Sequence, residues 1–174
     1  MKYFVNLFVV TLLVLISTHT FAEQKIVVLD MKQVLNLSKA GKGAQDFLKK
    51  SFNDNQKKFS NLEKALKKEE NDLLEKKTIL SKEEYTKKAN TLRKKVIDYQ
   101  SDRRTSLEKI TAQRSESRTK LLKKVEPILS AYIKENDISL VIDKKNLLGG
   151  RPELNITEEI IKRLNKELPS LDLK

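Results

Sequence analysis

Nucleophilic, general-base and soft-metal chemistry call for Cys, His or an activated Ser, and this 174-residue chain is poor in all three. It has no cysteine and a single histidine, His19, which lies in an N-terminal stretch read below as a leader. Serines and carboxylates are present, but they fall in charged helical surfaces or at helix caps, and no G-x-S-x-G nucleophile turn occurs. Gly41-Lys42-Gly43 lacks the G-x-x-x-x-G-K-[ST] pattern of a phosphate loop and reads as a helix start. These residues predict a protein that is not an enzyme and takes no cofactor or metal.

The chemistry that remains is electrostatic. Lys and Arg number 36 against 24 Asp and Glu, and the excess is concentrated, with 21 against 12 in residues 49–120. Candidates for contact with an acidic partner or anion are Lys57, Lys58, Lys67, Lys68, Lys87, Lys88, Arg93, Lys94, Lys95, Arg103 and Arg104. Such a field attracts acidic proteins, nucleic acid or anionic lipid and speeds encounter without naming the partner. Nucleic acid is disfavoured, because no binding motif is present and aromatic residues for stacking are few.

Export is the next expectation. Lys2 supplies a positive start, Phe4 to Ile16 an apolar stretch, and Thr20-Phe21-Ala22 small residues where a signal peptidase reads. The stretch is shorter than the roughly 20 residues a spanning helix needs, so cleavage after Ala22 is preferred over an anchor. With no cysteine for lipidation or disulfides, the mature chain must be stabilised by packing alone.

The elements that position the basic residues follow from apolar spacing. Lys25-Ile-Val-Val-Leu29 reads as a strand buried on both faces, and Asp30 with Gln33 opens a short helix. Gly41 and Gly43 are expected to bend or interrupt the chain, after which neither Gly nor Pro occurs until Pro127. Phe52, Phe59, Leu66, Leu73 and Leu80 recur every seven residues, with Leu48 and Leu62 at intervening positions. Ser81-Lys-Glu-Glu84 is a capping box, so one helix ends at about Ile79 to Leu80 and a second folds back along Tyr85, Ala89, Leu92, Val96 and Tyr99. Asp72–Lys76, Glu83–Lys87 and Glu84–Lys88 are spaced for ion pairs along the helices. The seam weakens between Tyr99 and Leu121, where Arg103, Ser106, Gln113 and Ser117 sit at or near it.

Beyond Leu121 the chain turns apolar again, with Pro127 expected to kink the helix. Ile138-Ser-Leu-Val-Ile142 reads as a second strand and Leu147-Leu148 as the start of a third. Thr157 is expected to cap a last amphipathic helix through Ile160, Ile161, Leu164 and Leu168. Asn36-Leu-Ser38 and Asn155-Ile-Thr157 fit a glycosylation pattern and are assigned no function. The resulting organisation is a leader over 1–22, a helical hairpin over 43–118 with its tip near 79–82, and a small α+β body from 23–42 and 119–174. That body is small enough that oligomerisation is the natural way to bury its surface.

These features in this order resemble the Skp/OmpH family of periplasmic chaperones. The likeness is carried by Lys25-Ile-Val-Val-Leu-Asp-Met31, Gly41-Lys-Gly-Ala-Gln45, the Lys/Glu/Gln/Leu hairpin, Ile138-Ser-Leu-Val-Ile-Asp143 and Asn155-Ile-Thr-Glu-Glu-Ile-Ile-Lys-Arg-Leu-Asn165. The resemblance implies an α+β fold in which a long antiparallel coiled-coil hairpin projects from a small β-rich body. It also implies a homotrimer whose bodies join through strands, with Ile26, Val27, Val28, Leu29, Leu140, Val141 and Ile142 the candidates here. The implied role is to hold unfolded outer-membrane proteins in the periplasm without ATP, the basic residues being client contacts. Lipopolysaccharide or another anionic lipid is a further implied partner, with Arg93, Lys94 and Lys95 offering suitable chemistry. The rival reading is a purely structural coiled-coil oligomer, and binding of unfolded protein separates the two.

Overall fold

The computed structural model describes residues 24–173, so the leader expected over 1–22 and the cleavage expected after Ala22 lie outside the described residues. The order is strand β1 (Lys25–Leu29), helix α1 (Met31–Leu37), helix α2 (Lys39–Glu75), a 3-10 turn (Lys76–Thr78), helix α3 (Lys82–Glu135), strand β2 (Ile138–Asp143) and helix α4 (Thr157–Glu167). Short 3-10 turns at Lys144–Asn146 and Pro152–Leu154 join β2 to α4. No helix among the described residues is long and apolar enough to cross a membrane.

The body forms where the two ends of the chain meet. β1 and β2 pair in parallel, with Ile26 opposite Leu140, Val27 opposite Val141 and Val28 opposite Ile142. Val27 and Leu29 point into a core shared with Val34 and Leu35 of α1, Leu121, Val125 and Ile128 of α3, and Ile156, Ile160 and Leu164 around α4. The four-residue step from Ile156 to Ile160 to Leu164 puts one stripe of α4 inward, and burial of each such side chain is worth roughly 1.5–3 kcal/mol. Between α3 and β2, Asp137 takes a left-handed conformation (φ 50°) to reverse the chain, a geometry Asp tolerates better than most residues.

Several expectations need correction. Gly41 and Gly43 do not break the chain, because α2 begins ahead of them, N-capped by Ser38, whose hydroxyl accepts from the Gly41 N–H at 3.2 Å. Gly41 is needed for proximity instead: a Cβ there would collide with the Leu35 carbonyl and come within 2.9 Å of Ser38 Oγ, so its absence lets α1 lie against α2. Thr157 is not a cap but the first residue of α4; Asn155 Oδ1 accepts from its N–H at 3.1 Å and from its hydroxyl at 2.6 Å. The freed Thr157 Oγ1 accepts from the Asp30 N–H at 2.8 Å, bolting α4 to the end of β1.

The body is also less β-rich than expected, with two strands and one isolated bridge between Val28 and Asn155 among the described residues. Leu147-Leu148 forms no strand there, since a 3-10 turn diverts the chain before it and Leu148 is left fully exposed. β1 is buried on both faces only from Val27 onward, Ile26 being open. At Pro127 helix α3 continues unbroken to Glu135.

Candidate functional site

The hairpin of α2 and α3 is the surface to which the basic residues belong. At about 1.5 Å per residue, the 37 residues of α2 span about 55 Å. The turn comes earlier than expected, α2 ending at Glu75, because Lys76-Lys77-Thr78 offers no apolar contact and tightens into the 3-10 turn. The capping box at the start of α3 is complete: the Glu84 N–H donates to Ser81 Oγ at 3.2 Å and the Ser81 N–H to Glu84 Oε2 at 3.1 Å. The Ser81 hydroxyl also donates to Glu84 Oε2 at 2.7 Å, and this bond first, then the one from the Ser81 N–H, holds the Glu84 carboxyl below its ordinary range. None of the three expected ion pairs near the tip closes, although the Lys88 charge still adds to the lowering at Glu84; the pairs along α2 and α3 join Lys50 to Asp54, Glu63 to Lys67, Arg104 to Glu108 and Glu116 to Lys120.

The seam is tight at a few points only. Phe59 and Tyr99 meet edge to face with ring centres 5.9 Å apart, and Tyr99 OH donates to Glu63 Oε2 at 3.5 Å. Farther out Lys95 Nζ donates to both oxygens of Glu69, at 2.7 and 2.9 Å, tying α3 to α2. Lys67 is the first cause of the lowered Glu63 pKa, by a hydrogen bond and then by its charge, with Tyr99 and Arg103 adding to it. The seven-residue repeat holds at Phe59, Leu66, Leu73 and Leu80, which are buried or half-buried, and fails at Phe52, exposed by 45%; of the intervening positions Leu48 is buried and Leu62 exposed. An α-helix drifts about 20° per heptad against a 3.5-residue repeat, and α3 offers Phe52 only Leu107, itself exposed, as an apolar neighbour in the cavity they share. Ile110 and Ser117 are buried where the seam was expected to be weakest.

The two sides of the hairpin differ. On one side three concavities follow one another from body to tip. The first, of about 560 Å³, lies at the base between Leu35 and Phe52. The second, about 760 Å³, is lined by Phe52, Phe59, Tyr99, Arg103 and Leu107. The third, about 460 Å³, is lined by Leu66, Leu74, Tyr85, Arg93, Val96 and Tyr99. Phe52 is common to the first two and Glu63 and Tyr99 to the last two, so they make one stepped trough. The opposite side carries Glu69, Asp72, Lys76, Glu84, Lys87 and Lys88 around a more polar hollow.

The basic candidates do not gather into one patch. Lys57, Lys67, Arg93 and Arg103 border the trough, Lys87 and Lys88 the opposite hollow. Lys95 bridges the helices, Lys58 stands 5.4 Å over the Phe59 ring, and Arg104 pairs with Glu108. Lys68 and Lys94 are exposed and border none of these concavities. In the body Val27, Val28 and Leu29 are buried and Val141 and Ile142 partly so, whereas Ile26 and Leu140, neighbours in the sheet, are open. Two sets of residues escaped the sequence reading. One is the apolar tip residue Ile79, 81% exposed between Lys76, Lys77 and Lys82. The other is Lys49, Arg114 and Arg118 at the base, where the four-residue step from Arg114 to Arg118 was the available signal.

Comparison with known proteins points the same way. Residues 25–164 match the family model described as outer membrane protein (OmpH-like). A Skp-like protein of Pseudomonas aeruginosa PAO1 is 25% identical over 166 residues, covering 95% of this chain and 99% of that protein. A solved chain from Caulobacter crescentus CB15, described as an OmpH-like outer membrane chaperone, shares the fold with a TM-score of 0.81 at 18% identity, over 91% of this chain and 94% of that one.

Proposed function

The chain belongs to the OmpH-like family, which is chaperone-like rather than enzymatic, and from that premise we propose that it is an ATP-independent holding chaperone of the periplasm for unfolded outer-membrane proteins. The observation that carries this reading is the one-sided trough. A surface that holds many unrelated unfolded chains needs apolar contacts that are numerous, shallow and individually weak, and the half-exposed Phe52, Leu74 and Leu107 supply them. Lys57, Lys67, Arg93 and Arg103 along the same side add long-range attraction for acidic clients, which raises the capture rate more than the final affinity. The working unit is a homotrimer joined through the bodies. In support, the outer edge of β2 has no strand partner among the described residues, and Ile26 and Leu140 present apolar surface on the sheet.

The test dilutes a urea-unfolded acidic barrel protein into nucleotide-free buffer and follows light scattering. Wild-type protein is expected to suppress aggregation when trimer matches client in concentration. Phe52→Asp with Leu74→Asp is expected to abolish most of that suppression, while Ile97→Asp, at an exposed position that borders no part of the trough, leaves it intact. Unchanged aggregation with well-folded wild-type oligomer rejects holding and leaves a structural coiled coil. Anionic lipid, lipopolysaccharide included, is a second partner favoured by one observation: Ile79 projects at the tip among three lysines, a combination suited to a negatively charged interface. Flotation with vesicles containing phosphatidylglycerol, and failure to float after Ile79→Asp, tests it.

A further inference from the structure

The trough is not uniform, and its base is built differently from the rest. There the floor is fully buried: Leu35 of α1, Leu48 of α2 and Leu121 of α3 converge below Phe52, in a cavity of about 560 Å³. The size falls within the usual range of specific ligand pockets, roughly 300–1,000 Å³. Gly41 lets α1 close the inner end, where Gln45 Nε2 donates to Asn36 Oδ1 at 3.1 Å.

Its rim carries three cations and no carboxylate. Lys49 stands on α2, and Arg114 and Arg118 stand one turn apart on α3. None has an ion-pair partner among the described residues; Asp46, one turn before Lys49 on α2, does not close on it, and Glu116, between the two arginines, is engaged with Lys120 at 2.7 Å. The middle and outer stretches both include Glu63. An apolar floor beneath an uncompensated cationic rim suits a ligand with a large apolar group and a carboxylate on the same unit, which two guanidinium groups can grip in a way an ammonium cannot.

We propose that this basal pocket binds the C-terminal residue of a client polypeptide, taking a large apolar side chain onto the floor and the free carboxylate between Arg114 and Arg118. The proposal rests on the holding function above. A polypeptide end is favoured over a fatty acid by continuity: Phe52 lines both the basal and middle cavities, so a chain anchored at its end has the trough to run along. Anchoring would convert many weak contacts into an ordered, directional arrangement.

The experiment measures fluorescence anisotropy of a short labelled peptide ending in Phe with a free carboxylate, mixed with the full mature chain. Its C-terminal amide and a free-acid version ending in Ser are compared with it. The expected result is about tenfold tighter binding of the Phe acid than of either relative, as one charge-assisted contact or one buried ring would give. Arg114→Gln with Arg118→Gln should erase the acid-over-amide preference, with circular dichroism confirming that the helices persist. Lys57→Gln with Lys58→Gln removes equal charge away from the pocket and should leave most of the preference for the Phe acid over both the Ser acid and the amide. Equal binding of acid and amide by a wild-type chain that suppresses client aggregation overturns the pocket alone. Tight dodecanoate binding with no preference among the peptides also overturns it, in favour of a lipid ligand. Failure of the wild type to suppress aggregation rejects the underlying function.

Discussion

The body and the arm share two helices, α2 and α3, and are stabilised in opposite ways. Around α4 the body closes a core in which Val34, Val125, Ile160 and Leu164 are essentially inaccessible. Along the arm only scattered positions, Phe59, Leu92 and Ile110 among them, are buried, and the contacts between them are polar, such as Lys95 with Glu69. The difference separates two tasks. The body fixes where the arm starts, while the arm leaves apolar groups half open, the surface that the holding function proposed above would use.

If this division is right, mutations should respect it. Leu164→Ala opens a cavity in the body and is expected to cost about 2–5 kcal/mol in urea unfolding, with collapse of the whole cooperative transition. Gly41→Val should follow at about 1–3 kcal/mol, because the added side chain must push α1 off α2. An arm change is local in its reach: Phe59→Ala empties a buried position and removes the ring contact with Tyr99, the latter worth about 0.5–1.5 kcal/mol beyond burial. It should raise amide exchange in the middle of the arm while leaving body amides protected. An equal rise in body exchange would show that the two regions unfold as one and would break the comparison.

The tip should respond least. Ser81→Ala removes the cap of α3 at a cost of about 1 kcal/mol, visible as fraying of residues just after the turn. Acid should act on the arm in the same graded manner. The Glu63 and Glu84 carboxyls are held below their ordinary value of 4.5, so their contribution is present above that value and is lost as pH falls through the lowered one. Titration by NMR should therefore show no arm change down to about pH 5, then loosening around Tyr99 and Ser81, the body following only in stronger acid.

Features that depend on near neighbours were legible in the sequence. The capping box at Ser81 and the Asp30 cap are both present, since each needs only a side chain and a backbone N–H three residues on. The two strands were legible because β-branched runs have few other uses. Features that depend on distant partners were not. Gly41 looked like a break because its justification, the Leu35 carbonyl, comes from another helix. Thr157 looked like a cap because nothing local reveals that Asp30, 127 positions away, takes its oxygen. The heptad named the right helices but not the right rim, since the exposure of Phe52 depends on which residue of α3 lies across from it. The basic candidates were chosen by composition, and composition does not say which flank of a helix a lysine occupies.

The parallel pairing of β1 with β2 places Lys25 beside Ile138 and makes the entire hairpin the connection between two neighbouring strands. In kinetic terms the body is the slow step: β1 emerges early and waits for β2 and α4, whereas the hairpin's own contacts can form as α3 arrives. A pre-formed hairpin spares most of the entropy of closing so long a connection, because its two bases are delivered side by side. What the body needs from the arm is then not its length but the equality of its two legs. Matched deletions of seven residues from α2 and α3 should leave refolding rates nearly unchanged, while the same deletion from one helix should slow them sharply.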